Sequence, residues 1–189
     1  MKTKITLGVI AAITILVLTL TAFTAVSSVS AANVDRRGNP GRQGGFDRSG
    51  QPSNATTLTP LTAAEQKALQ DAILEEYGAL NLYQAVITQF GNIAPFSQIV
   101  RSEEQHVNAL ITQAQKYGVT VPANPGLATV PTFTTLADAC KAGAAAEIAD
   151  ARLYDTLKPS VTHTDILGVF DRLQKASLNS HLPAFQSCN

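Results

Sequence analysis

The sequence predicts an all-α protein: a four-helix bundle with one long crossover between its second and third helices. Three observations carry that expectation. Four segments between Thr62 and Cys188 repeat apolar residues at the helical period. The connections between them run short, long, short, which is the connectivity of a bundle with a single crossover. Each apolar stripe also carries an acid or an imidazole, where a lone charge is expensive.

The chain of 189 residues suffices for one ordinary domain plus extensions. The N-terminus reads as targeting sequence. Lys2 and Lys4 precede an apolar run from Ile5 to about Val26, and Val29-Ser30-Ala31 offers the small residues a signal peptidase reads. Residues 1–31 are therefore an export signal cut after Ala31, or an anchor retained in the membrane. In both cases the rest of the chain is extracytoplasmic, secreted or attached to the cell envelope. Residues 32–60 are rich in Gly, Arg, Asn, Ser and Pro with almost no large apolar side chains. Such a segment cannot bury enough surface to fold and reads as a spacer.

Net charge is zero and 15% of residues are charged, so the bulk composition gives no sign of a nucleic-acid partner. From Pro60 onward 12 acids face 8 bases, a mildly acidic domain. There is no Trp to serve as a stacking platform and no Cys-x-x-Cys for an appended iron–sulfur or zinc module. Export makes Cys140 and Cys188 candidates for a disulfide rather than for catalytic thiols. The sequence says nothing of oligomeric state.

Helix 1 starts at Thr62-Ala63-Ala64-Glu65, a capping-box pattern, and ends at Gly91. Its stripe runs Leu69, Ala72/Ile73, Glu76, Ala79/Leu80, Tyr83, Val86/Ile87, Phe90. Helix 2 opens near Pro95 and stops at Gly118, with the stripe Phe96, Ile99/Val100, Glu103, His106/Val107, Leu110, Ala114, Tyr117. Residues 118–133 hold three Pro and two Gly without sustained period. At about 3.3 Å per residue this connection reaches about 50 Å, the length of a bundle. Helix 3 runs from about Thr135 to Leu157, with Leu136, Cys140, Gly143, Glu147, Asp150/Ala151, Tyr154 and Leu157 on one stripe. The small residues of its Ala142–Ala146 run permit close helix approach. Helix 4 is expected to be capped by Thr162, with Ile166/Leu167, Phe170, Leu173/Gln174, Ser177/Leu178, His181, Ala184/Phe185 and Cys188 on its stripe. Pro183 interrupts that pattern and should kink or end the helix.

Four acids, Glu76, Glu103, Glu147 and Asp150, and two imidazoles, His106 and His181, thus share core-facing stripes that lack Lys and Arg. Glu103-x-x-His106 places carboxylate and imidazole one turn apart on one face. Buried acids without basic partners call for cations, and carboxylates with imidazoles suit iron or manganese, and also zinc. The halves echo each other. Glu76 and Tyr83 are seven apart, as are Glu147 and Tyr154, and each half carries a His about thirty residues on. The two tyrosines are core packing that can also bond the ligand carboxylates. Glu75 and Glu104 are neighbours that would replace Glu76 and Glu103 only if the register slipped by one.

Across residues 61–187 this pattern resembles the rubrerythrin branch of the ferritin-like superfamily. It is similar, more closely, to an often exported ferritin-like family of unknown function. The match rests on Glu75-Glu76-Tyr77, Ser102-Glu103-Glu104-Gln105-His106 and Ser180-His181-Leu182-Pro183-Ala184-Phe185. The resemblance implies a ferritin-like bundle over 61–189 and a carboxylate-bridged di-iron centre. It gives Glu76, Glu103 and His106 to one iron, with Glu103 bridging, and Glu147, Asp150 and His181 to the other. Where rubrerythrins carry a bridging Glu on helix 4, Leu178 stands, and Asp150 replaces a longer Glu. The second iron is then held more weakly, or the site takes one metal. In such a centre the metals give electrons to peroxide or O2, or Fe(II) is oxidised. Any reductant must be external, because the chain has no electron-donor module. A metal-sequestering protein without catalysis and a metal-free interaction module are the alternatives. With Glu147 and His181 level at the metal, Cys140 and Cys188 fall seven residues away on antiparallel helices. A disulfide there closes nearly fifty residues, which stabilises by about 4 kcal/mol on chain-entropy grounds.

Overall fold

A computed structural model describes residues 58–188. The expected signal or anchor (1–31), and the expected spacer up to residue 57, lie outside the described residues. Among the described residues the chain is all-helical. Helix α1 spans Ala63–Phe90, α2 Phe96–Lys116, α3 Leu136–Leu157 and α4 Thr164–Ala176. A 3-10 turn, Lys158–Ser160, follows α3. The fourth helix continues through a π-turn, Ser177–His181, into the short helix α5, Leu182–Gln186. None of these helices is long and apolar enough to cross a membrane.

Local chemistry explains the ends. The Glu65 amide donates to Thr62 Oγ1 while the Thr62 amide donates to Glu65 Oε2, which completes the capping box. Gly91 closes α1 at φ +86°, in a region that favours glycine. Thr135 caps α3 by accepting from the Asp138 amide at 3.1 Å. Thr162, by contrast, does not cap α4, which begins two residues later after His163. Its amide and hydroxyl both donate to Glu65 Oε1, at 2.8 and 2.7 Å. A tertiary contact with Glu65 has taken the place of the local cap.

Pro183 does not end the fourth helix. The π-turn lies just before it, where the Leu182 amide reaches back to the Ser177 carbonyl. Proline cannot donate, and its ring crowds the carbonyl four residues back. A wider turn relieves both problems, and α5 restarts with Pro183 in its first turn. The extra residue rotates the face of the helix. Ser177 and His181 are buried, while Leu178 is 42% exposed. The expectation that Leu178 lies on the core stripe is thus corrected.

Contacts give the directions. Glu76 meets His106 and Gln70 meets Thr120, so α1 and α2 are antiparallel. Tyr83 meets Glu147 and Tyr154 meets Glu76, so α1 and α3 are antiparallel. Asp150 meets Ser177 and Cys140 is bonded to Cys188, so α3 and the fourth helix are antiparallel. Two apolar clusters fill the interior. One gathers Leu69, Ile73, Leu110, Tyr154, Ile166 and Phe170. The other gathers Leu80, Tyr83, Phe96, Val107, Cys140 and Phe185. The polar stripe residues lie between them in chain order on α1, α3 and the fourth helix, and on α2 they are flanked by Val100 and Val107 of the second cluster.

The Cys140–Cys188 disulfide joins residues 48 apart with a Cα separation of 5.9 Å. One turn inward, Phe185 packs on Tyr83 and Phe96, each ring centroid 5.0 Å away. Gly143 leaves room for that ring, since a Cβ there would lie 2.7 Å from it. The ring is wedged and cannot give way, so Gly143→Ala is expected to cost about 1–3 kcal/mol of stability. Thermal unfolding checks this, and an unchanged Tm would refute the close approach.

Glu65 ties the start of α1 to the start of α4. Besides Thr162 it receives His163 Nδ1 at 2.7 Å, and His163 Nε2 reaches the Thr59 carbonyl at 3.1 Å. Burial pushes the Glu65 carboxyl up, but the His163 side chain and the Thr162 and Thr62 amides outweigh it and hold it far below the ordinary range. The same contact raises His163. A depressed acid stabilises above its unfolded pKa, and a raised His stabilises below its own. Both contributions are therefore whole between about pH 4.3 and 6.5. The Glu65 part is lost on acidification and the His163 part as pH rises through its raised value.

Candidate metal centre

Helical spacing delivers one polar layer. Glu76 comes from α1, Glu103 and His106 from successive turns of α2, Glu147 and Asp150 from successive turns of α3, and His181 from the π-turn. All six are buried. Glu75 is half-buried and Glu104 exposed, so the register is the one expected.

Five of the six converge in two triads. Ligand atoms of Glu76, Glu103 and His106 lie within 4.8 Å of one another, as do those of Glu103, Glu147 and His181. Glu103 is common to both and divides its oxygens. Oε2 is 2.9 Å from His106 Nδ1, and Oε1 is 3.0 Å from His181 Nδ1. Each histidine has a second carboxylate, Glu76 Oε2 at 3.2 Å from His106 Nδ1 and Glu147 Oε2 at 3.3 Å from His181 Nδ1. The close approach of Glu103 Oε1 and His181 Nδ1 is not a hydrogen bond, since neither atom has an aligned partner. Two donors about 2.1 Å from one ion, at right angles, lie about 3.0 Å apart. The layer has that spacing.

The outer carboxylate oxygens are held by tyrosines in a crossed arrangement. Tyr83 of α1 donates to Glu147 Oε1 of α3 at 2.5 Å, and Tyr154 of α3 donates to Glu76 Oε1 of α1 at 2.6 Å. Burial, with the acids nearby, keeps both phenols protonated by raising them well above their ordinary range. Each carboxylate thus has one oxygen fixed and one facing inward.

Asp150 lies outside both triads. Ser177 donates to its Oδ2 at 2.6 Å, and its Oδ1 is buried without a partner. Burial lifts its carboxyl to about 7, with the Glu147 and Glu75 charges adding to the rise against the Ser177 bond. On the fourth helix it is Ser177, four residues before His181, that is buried beside Asp150, while Leu178 is exposed.

The charges are mutually dependent. Burial raises Glu76 well above the ordinary range, and the Asp150 and Glu103 charges add to this against the bond to His106. Burial also pushes Glu103 up, but His106 and His181 reverse this and hold it at about 2. Burial lowers the two histidines, and the carboxylates overcome it, taking His106 to about 10 and His181 to about 9. The metal-free layer thus sets two cationic imidazoles against its carboxylates.

Sequence reasoning missed Ser177, Ser102 and Glu65 as members of buried polar clusters. Pro183 was the available signal for Ser177, because a proline inside a helical pattern announces an irregular turn ahead of it. Small hydroxyl residues on a stripe carry no comparable mark.

No protein-family model matches this chain, and no curated protein does. Among solved structures, the fold is similar to that of a hypothetical protein from Methanococcus jannaschii DSM 2661. The two are 23% identical with a TM-score of 0.59, over 68% of this chain and 81% of that one. At that identity the likeness concerns the fold alone.

Proposed function

We propose that this is an exported ferritin-like protein holding a carboxylate/histidine dimetal centre, with iron as the metal. The observation that carries the reading is Glu103, whose two oxygens face two histidines on different helices, each backed by its own glutamate. Glu76, Glu103 and His106 would hold one ion, and Glu103, Glu147 and His181 would hold the other. Iron bound there would supply electrons to peroxide or O2, or Fe(II) would itself be the substrate. The chain's contribution is a dry layer, carboxylates oriented by Tyr83 and Tyr154, and a bridge that keeps two ions close. An external donor must return electrons. The disulfide fits an oxidising compartment, and the signal-like residues 1–31 supply the route.

A second reading, metal sequestration without turnover, is favoured by one feature. Beside Asp150 the fourth helix buries Ser177 rather than a further carboxylate. Elemental analysis of untagged protein, followed by aerobic Fe(II) addition, separates the two. Two irons per chain, absorbance of oxidised iron and peroxide consumption, all lost in Glu103→Ala, support the oxidoreductase. Tight binding without turnover leaves the sequestering role, and the absence of bound metal would refute both.

A further inference from the structure

Behind the two histidines, on the side away from the carboxylates, lies a single hydroxyl. Ser102 Oγ is 3.3 Å from His106 Nε2 and 3.0 Å from His181 Nε2. The imidazoles are stacked, with centroids 5.3 Å apart and planes 22° from parallel. Adjacent residues of α2 thus join the same two rings at both edges, Glu103 through the Nδ1 atoms and Ser102 through the Nε2 atoms. Ser102 is half-buried, while both rings are buried.

The chemistry of one hydroxyl constrains both rings. An imidazole that gives Nδ1 to a cation carries its proton on Nε2. Two such rings present two N–H donors, and a hydroxyl oxygen has two lone pairs to accept them. Its own proton then points away from the rings. Among the described residues, no other side chain bonds either Nε2 atom. Without Ser102 each ring loses the contact that distinguishes its two nitrogens, and rotation by half a turn would replace Nδ1 at the site by a carbon.

We propose that Ser102 is a shared positioning residue, which locks both histidines as Nδ1 donors and thereby couples the two metal positions. An ion at either position orders one ring. That ring orients the Ser102 oxygen, and the second ion meets an imidazole already aligned. Binding is therefore cooperative, and the coupling runs through the hydroxyl as well as through Glu103. The inference rests on the dimetal reading and adds to it a residue that touches no metal.

The test is anaerobic Co(II) titration of the full chain, with proton NMR of the loaded protein. The wild type should bind two Co(II) cooperatively. It should show two shifted, exchangeable imidazole N–H resonances protected from solvent. Ser102→Ala should weaken both positions by roughly 10–100-fold, the usual cost of losing an outer partner of a ligand histidine. It should also abolish the protection, and Ser102→Thr should restore it. A Ser102→Ala protein with wild-type affinity and protected resonances would overturn the proposal, as would weakening at one position alone. If Ser102→Ala does not fold, the wild-type spectrum decides, because rapid exchange of either N–H overturns it. A wild type that binds no Co(II) rejects the dimetal reading itself. One that binds two with an unaffected Ala variant rejects only the role of Ser102.

Discussion

Glu103→Gln is expected to cripple both metal positions at once, while Glu76→Gln spares the position built on His181. The asymmetry follows from the sharing of one carboxylate between two triads. Glutamine fills the same volume, but it brings no charge and offers one oxygen where two are needed. Binding of Mn(II) or Fe(II), measured by calorimetry, should weaken by at least about 100-fold at each position, above the usual loss for an outer partner. The metal-free protein should suffer too. His106 and His181 both owe their protonated state to Glu103, and removing one member of a buried ionic cluster strands the others. A loss on the order of 3 kcal/mol is expected, roughly 10 °C in Tm for a domain of this size. Selective loss of one ion in Glu103→Gln would show that the carboxylate does not bridge.

Metal uptake should be strongly pH-dependent and release protons. At pH 7 the empty layer keeps His106 and His181 protonated, with pKa values of about 10 and 9. A cation needs the Nδ1 lone pair, so each ion displaces at least one proton. Affinity should rise about tenfold per pH unit at each position between pH 6 and 8. Stability of the metal-free protein moves the other way. A His raised on folding stabilises fully below its unfolded pKa of about 6.5, and that contribution fades as pH rises toward 9 and 10. Alkaline conditions therefore weaken the empty fold and strengthen the loaded one. Calorimetry in two buffers of different ionisation enthalpy counts the protons. Uptake independent of pH would mean that the ions bind elsewhere.

The stripes of helices 1 to 3 were legible because each is a regular α-helix. Glu76, Glu103, His106, Glu147 and Asp150 keep the 3.6-residue period, so spacing alone places them inside. The fourth helix was read less well because its period changes. The π-turn adds one residue, so of the Ser177/Leu178 pair expected on the stripe Ser177 is buried and Leu178, three residues before His181, is exposed. The start of that helix failed for a related reason. Thr162 has the right chemistry for a cap, but Glu65, 97 residues away in sequence, binds its amide and hydroxyl, and the helix starts after His163 instead. His163, beside Thr162, is drawn into the same cluster.

By itself the sequence determined the helical class, the order of the helices, and the buried acids and imidazoles on the stripes of the first three. All of these follow from local periodicity and from the cost of burying charge. Only the tertiary structure decided which inward residues meet. It made Glu103 the shared carboxylate, crossed Tyr83 and Tyr154 onto the opposite glutamates, set Asp150 apart with Ser177, and placed Ser102 against both histidines. Each of these depends on the relative rotation of two packed helices to within a fraction of a turn. That rotation is set by side-chain interdigitation such as Phe185 against Gly143, which no single helix encodes in its own period.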